Sequence, residues 1–300
     1  MKPKNQPLEL LLRAAICTKT RCHEVRKLMN LRSLSGIAVL LLAFGCSAKT
    51  QSCMDHFPEG KPPVITSSNL AKQTTMLCFE GYAVMHSGIS RTPIWVAEHL
   101  TAKRVDDAER LKRINRFHAE EQLPPADRSE LADYVRTGYD RGHMAPNGDM
   151  PTENAQYESF SLANIIPQNP KNNQILWEGI EEVTRELARE NNEVYVVTGP
   201  IFEGGSLQRI NGRVLVPTFI YKAIYDPAKK QAGAYVTPNA PGMEYQTLSI
   251  ADLAKRINID VFPKLSPQIR AAKMDMPVPT PHGRRGGKNK PVEVESFERQ

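Results

Sequence analysis

Three hundred residues, 40% hydrophobic and 24% charged, suffice for one large domain or two small ones around a sizeable core, and exclude a wholly disordered chain or a multi-span membrane protein. The formal net charge of +6 resides at the N-terminus: eight of the 39 basic and two of the 33 acidic residues fall within 1–48, so residues 49–300 carry 31 of each. Bulk charge therefore neither favours nor excludes a polyanionic partner, and any attraction must come from local clustering.

Along the chain, the first feature is an apolar run over 33–44 that follows basic residues. It is too short for a membrane span, which needs about 20 apolar residues, and it fits the apolar region of a signal peptide. Cys46-Ser47-Ala48 offers small residues for cleavage after Ala48; Met29 can serve as the start, leaving 1–28 as an upstream extension. An alternative is lipid attachment at Cys46, although Leu42 lies one position too far back for a good lipoprotein box. The mature protein is expected to be exported, periplasmic or secreted, with no transmembrane segment. Cleavage leaves Cys53 and Cys78, and an even pair in an exported protein reads as a disulfide.

Residues 49–75 read as a polar, Pro-containing loop, Leu77–Met85 as one strand and Pro93–Leu100 as another. Residues 103–138 are charged, broken at Leu123-Pro-Pro-Ala-Asp127, with a short helix at Leu131–Val135. Leu176, Ile180, Val183 and Leu187 recur at i, i+4, i+7 and i+11, which predicts a helix over Asn172–Glu190 ended by Asn191-Asn192. Val194–Thr198 reads as a buried strand stopped by Gly199-Pro200; Arg213–Tyr225 and Ala232–Thr237 follow as strands around an Asp226-Pro227 turn, and Ser249–Ile257 as a short helix. From about 271 to 300 the composition turns to Pro, Gly, Lys and Arg and reads as a disordered tail. Strands before and after one long helix favour an α+β domain over 49–270.

Two stretches carry chemistry. In Tyr139-Asp-Arg-Gly-His-Met-Ala-Pro146, extended backbone puts Arg141 and His143 on one face, and Gly142 allows close approach of a neighbour or substrate. A neutral imidazole can take a proton from water, and a guanidinium can grip a phosphate by two hydrogen bonds. On the long helix, Asn173, Trp177, Glu181 and Arg185 recur every fourth residue and form one slanting stripe. Mg²⁺ prefers oxygen ligands and keeps several waters, so one carboxamide oxygen suffices; Glu181 could hold those waters and Arg185 could face the phosphate. Between these stretches, Ala163–Pro170 reads as a constrained loop in which Asn164 could orient the site. Each feature alone has a plainer reading: a polar turn, a surface Glu–Arg pair, ordinary asparagine turn chemistry.

Taken together, Asp140-Arg-Gly-His143, Asn164-Ile-Ile-Pro-Gln168 and Asn173-Gln174 opening a helix with Glu181 and Arg185 closely resemble the DNA/RNA non-specific endonuclease family, which includes endonuclease G. The resemblance covers roughly 76–265. It implies a ββα-metal (His-Me finger) site on a mixed domain with a central antiparallel sheet flanked by helices. It places the general base at His143, the sole direct metal ligand at Asn173, phosphate-contacting arginines at Arg141 and Arg185, a glutamate near the metal waters at Glu181 and a supporting asparagine at Asn164. A further phosphate-binding arginine before an aromatic residue falls on Arg116, before Phe117, with Arg113 as the alternative. The implied cofactor is Mg²⁺, with Mn²⁺ able to substitute. The implied partners are DNA and RNA, a second copy in a homodimer, and an inhibitor protein that no residue reveals. Rival readings are a zinc hydrolase, for which ligand spacing is missing, and a non-catalytic nucleic-acid-binding or surface interaction protein on the same fold.

Overall fold

The computed structural model describes residues 53–281 and 290–297; the expected signal peptide, the start at Met29 and the Cys46 lipidation site lie outside them. Strands β1 (Val64–Ile65), β2 (Thr74–Cys78), β3 (Ala83–Ser87) and β4 (Thr92–Thr101) precede helix α1 (Ala102–Glu109). A two-stranded ribbon follows, β5 (Asp140–His143) and β6 (Ile165–Gln168), with helix α2 (Glu153–Ser159) between its strands. Helix α3 (Glu178–Glu190) leads to β7 (Glu193–Ile201), the small β8 (Arg209–Ile210) and β9 (Val214–Leu215), then β10 (Phe219–Asp226), β11 (Gln231–Pro238) and β12 (Glu244–Leu248). Helix α4 (Ile250–Ile257), β13 (Ile259–Asp260), helix α5 (Pro267–Ala271) and β14 (Val292–Glu293) complete the order.

Eight strands form the central sheet in the order β14-β12-β11-β10-β7-β4-β3-β2. Every pairing in it is antiparallel except β12 with β14. Both faces are covered, so the strands read as nearly continuous apolar runs and not as alternating ones. One face packs Val84, Val96, Leu100, Val196, Ile220 and Ile224 against Leu176, Trp177, Ile180, Val183 and Leu187 of the long helical segment. The other packs Trp95, Ala97, Val197, Tyr221, Ala223 and Val236 against Leu253 and Ile257 of α4 and Phe262. Alternation along the strands also sends three polar side chains, Glu98, Thr198 and Lys222, toward the α3 face, and all three are buried.

The structure departs from the sequence reading at several elements, each for a local reason. Leu77–Met85 is not one strand: a turn closed by Phe79 N–H donating to the Tyr82 carbonyl (2.9 Å) divides it into β2 and β3. β7 runs on through Gly199-Pro200 to Ile201, because pairing with β4 ends at Thr198 and the missing N–H of Pro200 deprives no ladder there. Arg213–Tyr225 splits into β9 and β10 around Pro217. Ala163–Pro170 is not a loop but supplies β6, whose Pro167 sits opposite Arg141 in the two-stranded ribbon. The expected disordered tail is ordered in its described parts: Met274 and Met276 are buried against Gly233, Tyr235 donates to the Pro277 carbonyl, and the Thr280 backbone lies against Gly179 of α3. The two buried methionines of that strap outweigh its Pro-rich composition.

Cys53 and Cys78 form a disulfide with Cα atoms 5.7 Å apart and a sequence separation of 25. It ties the start of the described chain to the edge strand β2. A loop of this length is stabilised by roughly 3 kcal/mol through its effect on the unfolded chain. The Cys53→Ala/Cys78→Ala variant is expected to melt roughly 5–10 °C lower than the oxidised parent; equal melting temperatures in differential scanning calorimetry would show that the bridge adds nothing.

Candidate active site

The ribbon β5–β6 and the helical segment after it enclose one open cleft of about 420 Å³. Pairing of Asp140 with Gln168 and of His143 with Ile165 sets the register of the ribbon. Gly142 is required there, since a Cβ at this position would lie 2.5 Å from the Cβ of Gln168 and collide with its amide. The neighbour that Gly142 admits is thus Gln168, which in turn donates to Asn172 Oδ1 (2.9 Å), while Asn172 donates to Thr237 (3.2 Å) on β11. Asn239 accepts from Asn169 N–H and donates to the carbonyls of Pro167 and Pro217. This amide chain anchors the ribbon and the helix start to the sheet.

After Pro170 and Lys171 the helix does not continue as an α-helix. Asn172–Trp177 is a π-helical turn that runs into α3, a feature that recurs at functional sites. Asn169 caps it, its Oδ1 accepting from the N–H groups of Lys171 (3.0 Å) and Asn172 (3.3 Å). Asp140 Oδ2 accepts from both Asn173 Nδ2 (2.9 Å) and Gln174 Nε2 (2.8 Å). The Asn173 amide is therefore oriented by its nitrogen, and its Oδ1 is left uncommitted among the described residues.

His143, Arg141, Asn173, Glu181 and Arg185 all line this cleft. Trp177, grouped with the helix residues by spacing, turns instead into the core, under Lys222. His143 is 9% exposed, walled by Phe117 (5.3 Å between ring centroids) and Phe160 (5.1 Å). Burial, then the charges of Arg113 and Arg141, lower its pKa to about 3, so the imidazole is neutral at physiological pH. Its Nε2 is buried with no hydrogen-bond partner among the described residues. Arg141 lies over the other side of Phe117, 4.3 Å from the ring centroid. Glu181 is pushed up to about 7 by burial, against the pull of Lys222 and Arg185. Arg185 pairs not with Glu181 but with Asp149 (3.1 Å) and Glu182 (2.7 Å).

Asn164 lies outside the cleft and is fully buried; its Oδ1 accepts from Ala145 N–H (2.8 Å), and its Nδ2 donates to the carbonyls of Ala145 (2.8 Å) and Ser159 (2.9 Å). It holds the chain just after His143 and touches no reacting group. Arg116 is a correction: it is exposed and does not line the cleft, whereas Arg113 does. The stretch between them is irregular and exposed, so no strand or helix period decides between the two.

Several functional side chains escaped the sequence reading. Phe117 is the shared wall of Arg141 and His143. Asp149, 2% exposed, holds Arg185. Glu98 and Lys222 lie beneath: Arg104 Nη2 donates to Glu98 Oε1 (3.2 Å), and Lys222 Nζ donates to Thr198 Oγ1 (2.9 Å). A charged residue inside an apolar strand run, as in Trp95-Val-Ala-Glu98 and Ile220-Tyr-Lys222, was the available signal.

The residues fit a hydrated, hard divalent cation. The donor set is one uncommitted carboxamide oxygen with the carboxylates of Asp140, Glu178 and Glu181 around the cleft, and hard oxygen donors with retained water suit Mg²⁺ or Mn²⁺. No group of three or more His, Cys, Asp or Glu side chains arranged to hold a metal occurs among the described residues. The two described cysteines are joined to each other, which removes the thiolates a zinc site would draw on.

Known proteins resemble this chain in sequence and fold. A sequence profile described as DNA/RNA non-specific endonuclease matches residues 61–268. The chain is 35% identical over 211 residues to the mitochondrial nuclease EXOG of Danio rerio, covering 63% of this chain and 61% of that protein. It is 33% identical to nuclease C1 of Cunninghamella echinulata var. echinulata, over 62% of this chain and 82% of that one. A solved complex of EndoG with its inhibitor EndoGI superposes with a TM-score of 0.56 at 25% identity, covering 65% of this chain and 88% of that one. The chain spans between 61% and 64% of the length of the EXOG nucleases of Danio rerio and Xenopus laevis.

Gly142→Ala is expected to destabilise the fold by about 1–3 kcal/mol, the range for an overpacked interior, with loss of the Gln168–Asn172 contact. An unchanged midpoint in urea denaturation would mean that Gln168 moves aside freely and that the ribbon is not set by this contact.

Proposed function

This chain belongs to the DNA/RNA non-specific endonuclease family, and from that premise we propose that it hydrolyses phosphodiester bonds in both DNA and RNA, as a metal-dependent endonuclease without sequence preference. The observation that carries the reading is the meeting of His143, Asn173 and the guanidinium groups of Arg113, Arg141 and Arg185 around one cleft. A binding module would need the cations; it would have no use for an uncommitted imidazole nitrogen beside them.

In this reading His143 accepts a proton from a water molecule, which attacks phosphorus in line. Arg141 and Arg185 stabilise the charge that develops on the phosphoryl oxygens, their positions set in advance by Phe117 and Asp149. Arg113, which lines the same cleft, would grip the phosphate in the role the sequence reading gave to Arg116. Asn173 Oδ1 would hold Mg²⁺ or Mn²⁺, with Glu181 bonding its waters; the ion would supply neutralisation of a non-bridging oxygen and of the departing 3′ oxygen. Departure of that oxygen leaves 5′-phosphate products. Because water is the nucleophile, no 2′-hydroxyl is needed, and because the contacts are to phosphate, sequence is not read.

Export to the periplasm or medium is part of the proposal. It is supported by the Cys53–Cys78 pair, since disulfides persist in oxidising compartments. No helix among the described residues is long and apolar enough to cross a membrane. A homodimer is proposed on family resemblance, and an inhibitor protein by analogy with the solved EndoG complex.

His143→Ala is expected to lower kcat on plasmid DNA and on RNA by about 10³-fold or more, within the range that loss of a general base produces. Asn173→Ala is expected to raise the Mg²⁺ concentration needed for half-maximal rate, and EDTA to abolish cleavage. Retention of most wild-type nicking by purified, folded His143→Ala would remove the base from His143; cleavage unaffected by EDTA would remove the metal.

A further inference from the structure

Next to the catalytic wall stands an aromatic pair that the reaction does not use. The His118 and Tyr157 rings are stacked, with centroids 4.4 Å apart and planes within 7° of parallel. Tyr157, on α2, is 44% exposed. The pair is held rigidly to the site: His118 N–H donates to the Phe160 carbonyl (3.2 Å), Leu162 N–H donates to the His118 carbonyl (2.8 Å), and the Phe160 ring itself packs on His143. His118 follows Phe117, which lines the cleft, and its Nδ1 lies 2.9 Å from the Arg116 carbonyl. The rings thus form a graded series, from Phe160 in the core through Phe117 and His118 to Tyr157 in solvent.

The segment leading to His118 is cationic, whereas α2 carries Glu153 and Glu158 near Tyr157. Between α1 and His118 the chain reads Arg110-Leu-Lys-Arg-Ile-Asn-Arg-Phe117, four cations and no acid, and Lys112, Arg113 and Arg116 are all exposed. Arg116, exposed and outside the cleft lining, lies two residues before His118. Flat aromatic faces flanked by cations are the elements of a single-strand binding groove, in which bases stack without being read.

We propose that the His118–Tyr157 pair is a stacking platform for one unpaired nucleobase, a few nucleotides at most from the scissile phosphate, with Arg116 and Lys112 on the adjoining backbone. A base lying on Tyr157 cannot also be stacked within a duplex, so the platform selects single-stranded DNA or RNA, or unpaired regions of folded RNA. Every base has a π face, so the selection adds no sequence preference. The inference rests on the nuclease reading for its meaning, but its test does not need cleavage.

The experiment uses the His143→Ala chain and a fluorescein-labelled single-stranded octamer, followed by anisotropy, with one abasic site moved along the strand. The expected result is a rise in Kd of about tenfold at one abasic position, with weaker binding of the matching duplex. Adding Tyr157→Ala is expected to weaken the intact strand by the same factor and to abolish the position dependence; Tyr157→Trp is expected to restore it. A strand insensitive to every abasic site, or a dependence that survives Tyr157→Ala, overturns the platform. Position-dependent binding by a wild-type chain that cleaves neither DNA nor RNA would instead sink the nuclease reading and leave the platform standing.

Discussion

The carboxylate of Asp140 is the joint on which the site turns. One oxygen of it accepts from Asn173 and Gln174, and so ties the first strand of the ribbon to the opening turn of the helix, 33 residues further on. A primary amide can present either its oxygen or its nitrogen to a cleft, and the two faces have opposite preferences for a cation. An anionic acceptor settles the choice, because a carboxylate takes hydrogen bonds only from the NH₂ end. The same bond fixes the distance between the two halves of the site, since Asp140 is three residues from His143 on one short strand. If Asn173 is the single protein ligand, as proposed, a metal gives little help in assembling the site. Its geometry has to be set by contacts such as this one, by the Gln168–Asn172–Thr237 amide chain behind it, and by the Asn164 amide beyond His143.

Beneath the cleft the protein carries charges in places where charges are costly. Glu98, Lys222 and Asp149 are 2% exposed or less, and burial pushes the Glu98 pKa up, with Asp149 adding to the effect and Arg104 and Lys222 opposing it. Hydrophobic residues of similar volume would give a fold at least as stable. What these charges do is hold one another: Arg104 reaches the Glu98 carboxylate, the His99 carbonyl and the Asp149 carbonyl, while the Asp149 side chain holds Arg185 at the cleft. A strand, a helix and a loop are thereby locked behind the guanidinium that the proposed mechanism aligns with a phosphate. The cost in stability is consistent with a positioning role and hard to account for without one.

Much of this was legible in the sequence, and the boundary of legibility has a physical cause. The catalytic segment could be read because Asp140, Arg141, Gly142 and His143 are adjacent in the chain and share one strand. Asn173, Glu181 and Arg185 could be read because helical spacing gathers them. Phe117, Asp149, Glu98 and Lys222 could not, because each meets the site through tertiary packing across distant elements. The choice between Arg113 and Arg116 turned on which face of an irregular stretch points inward, which no periodicity decides. β6 was taken for a loop because Pro167 argues against a strand; its only strand partner is β5, and the strand survives. The C-terminal strap was taken for disorder because composition reports an average, whereas two methionines on a sheet decide the outcome.

The low proton affinity of His143 completes the picture of how a site built in this way is switched on. Alone, an imidazole held near pKa 3 by burial and by two neighbouring guanidinium groups is a weak base. It is also fully neutral, so none of it is lost to protonation at working pH. In the proposed mechanism, a phosphodiester bound against Arg113 and Arg141 would offset their charge repulsion, the smaller contribution to the lowered pKa after burial. In that proposal part of the basicity returns with the substrate, and the arginines act twice: their charge adds to burial in lowering the proton affinity of His143 while the cleft is empty, and they would bind the anion that restores part of it.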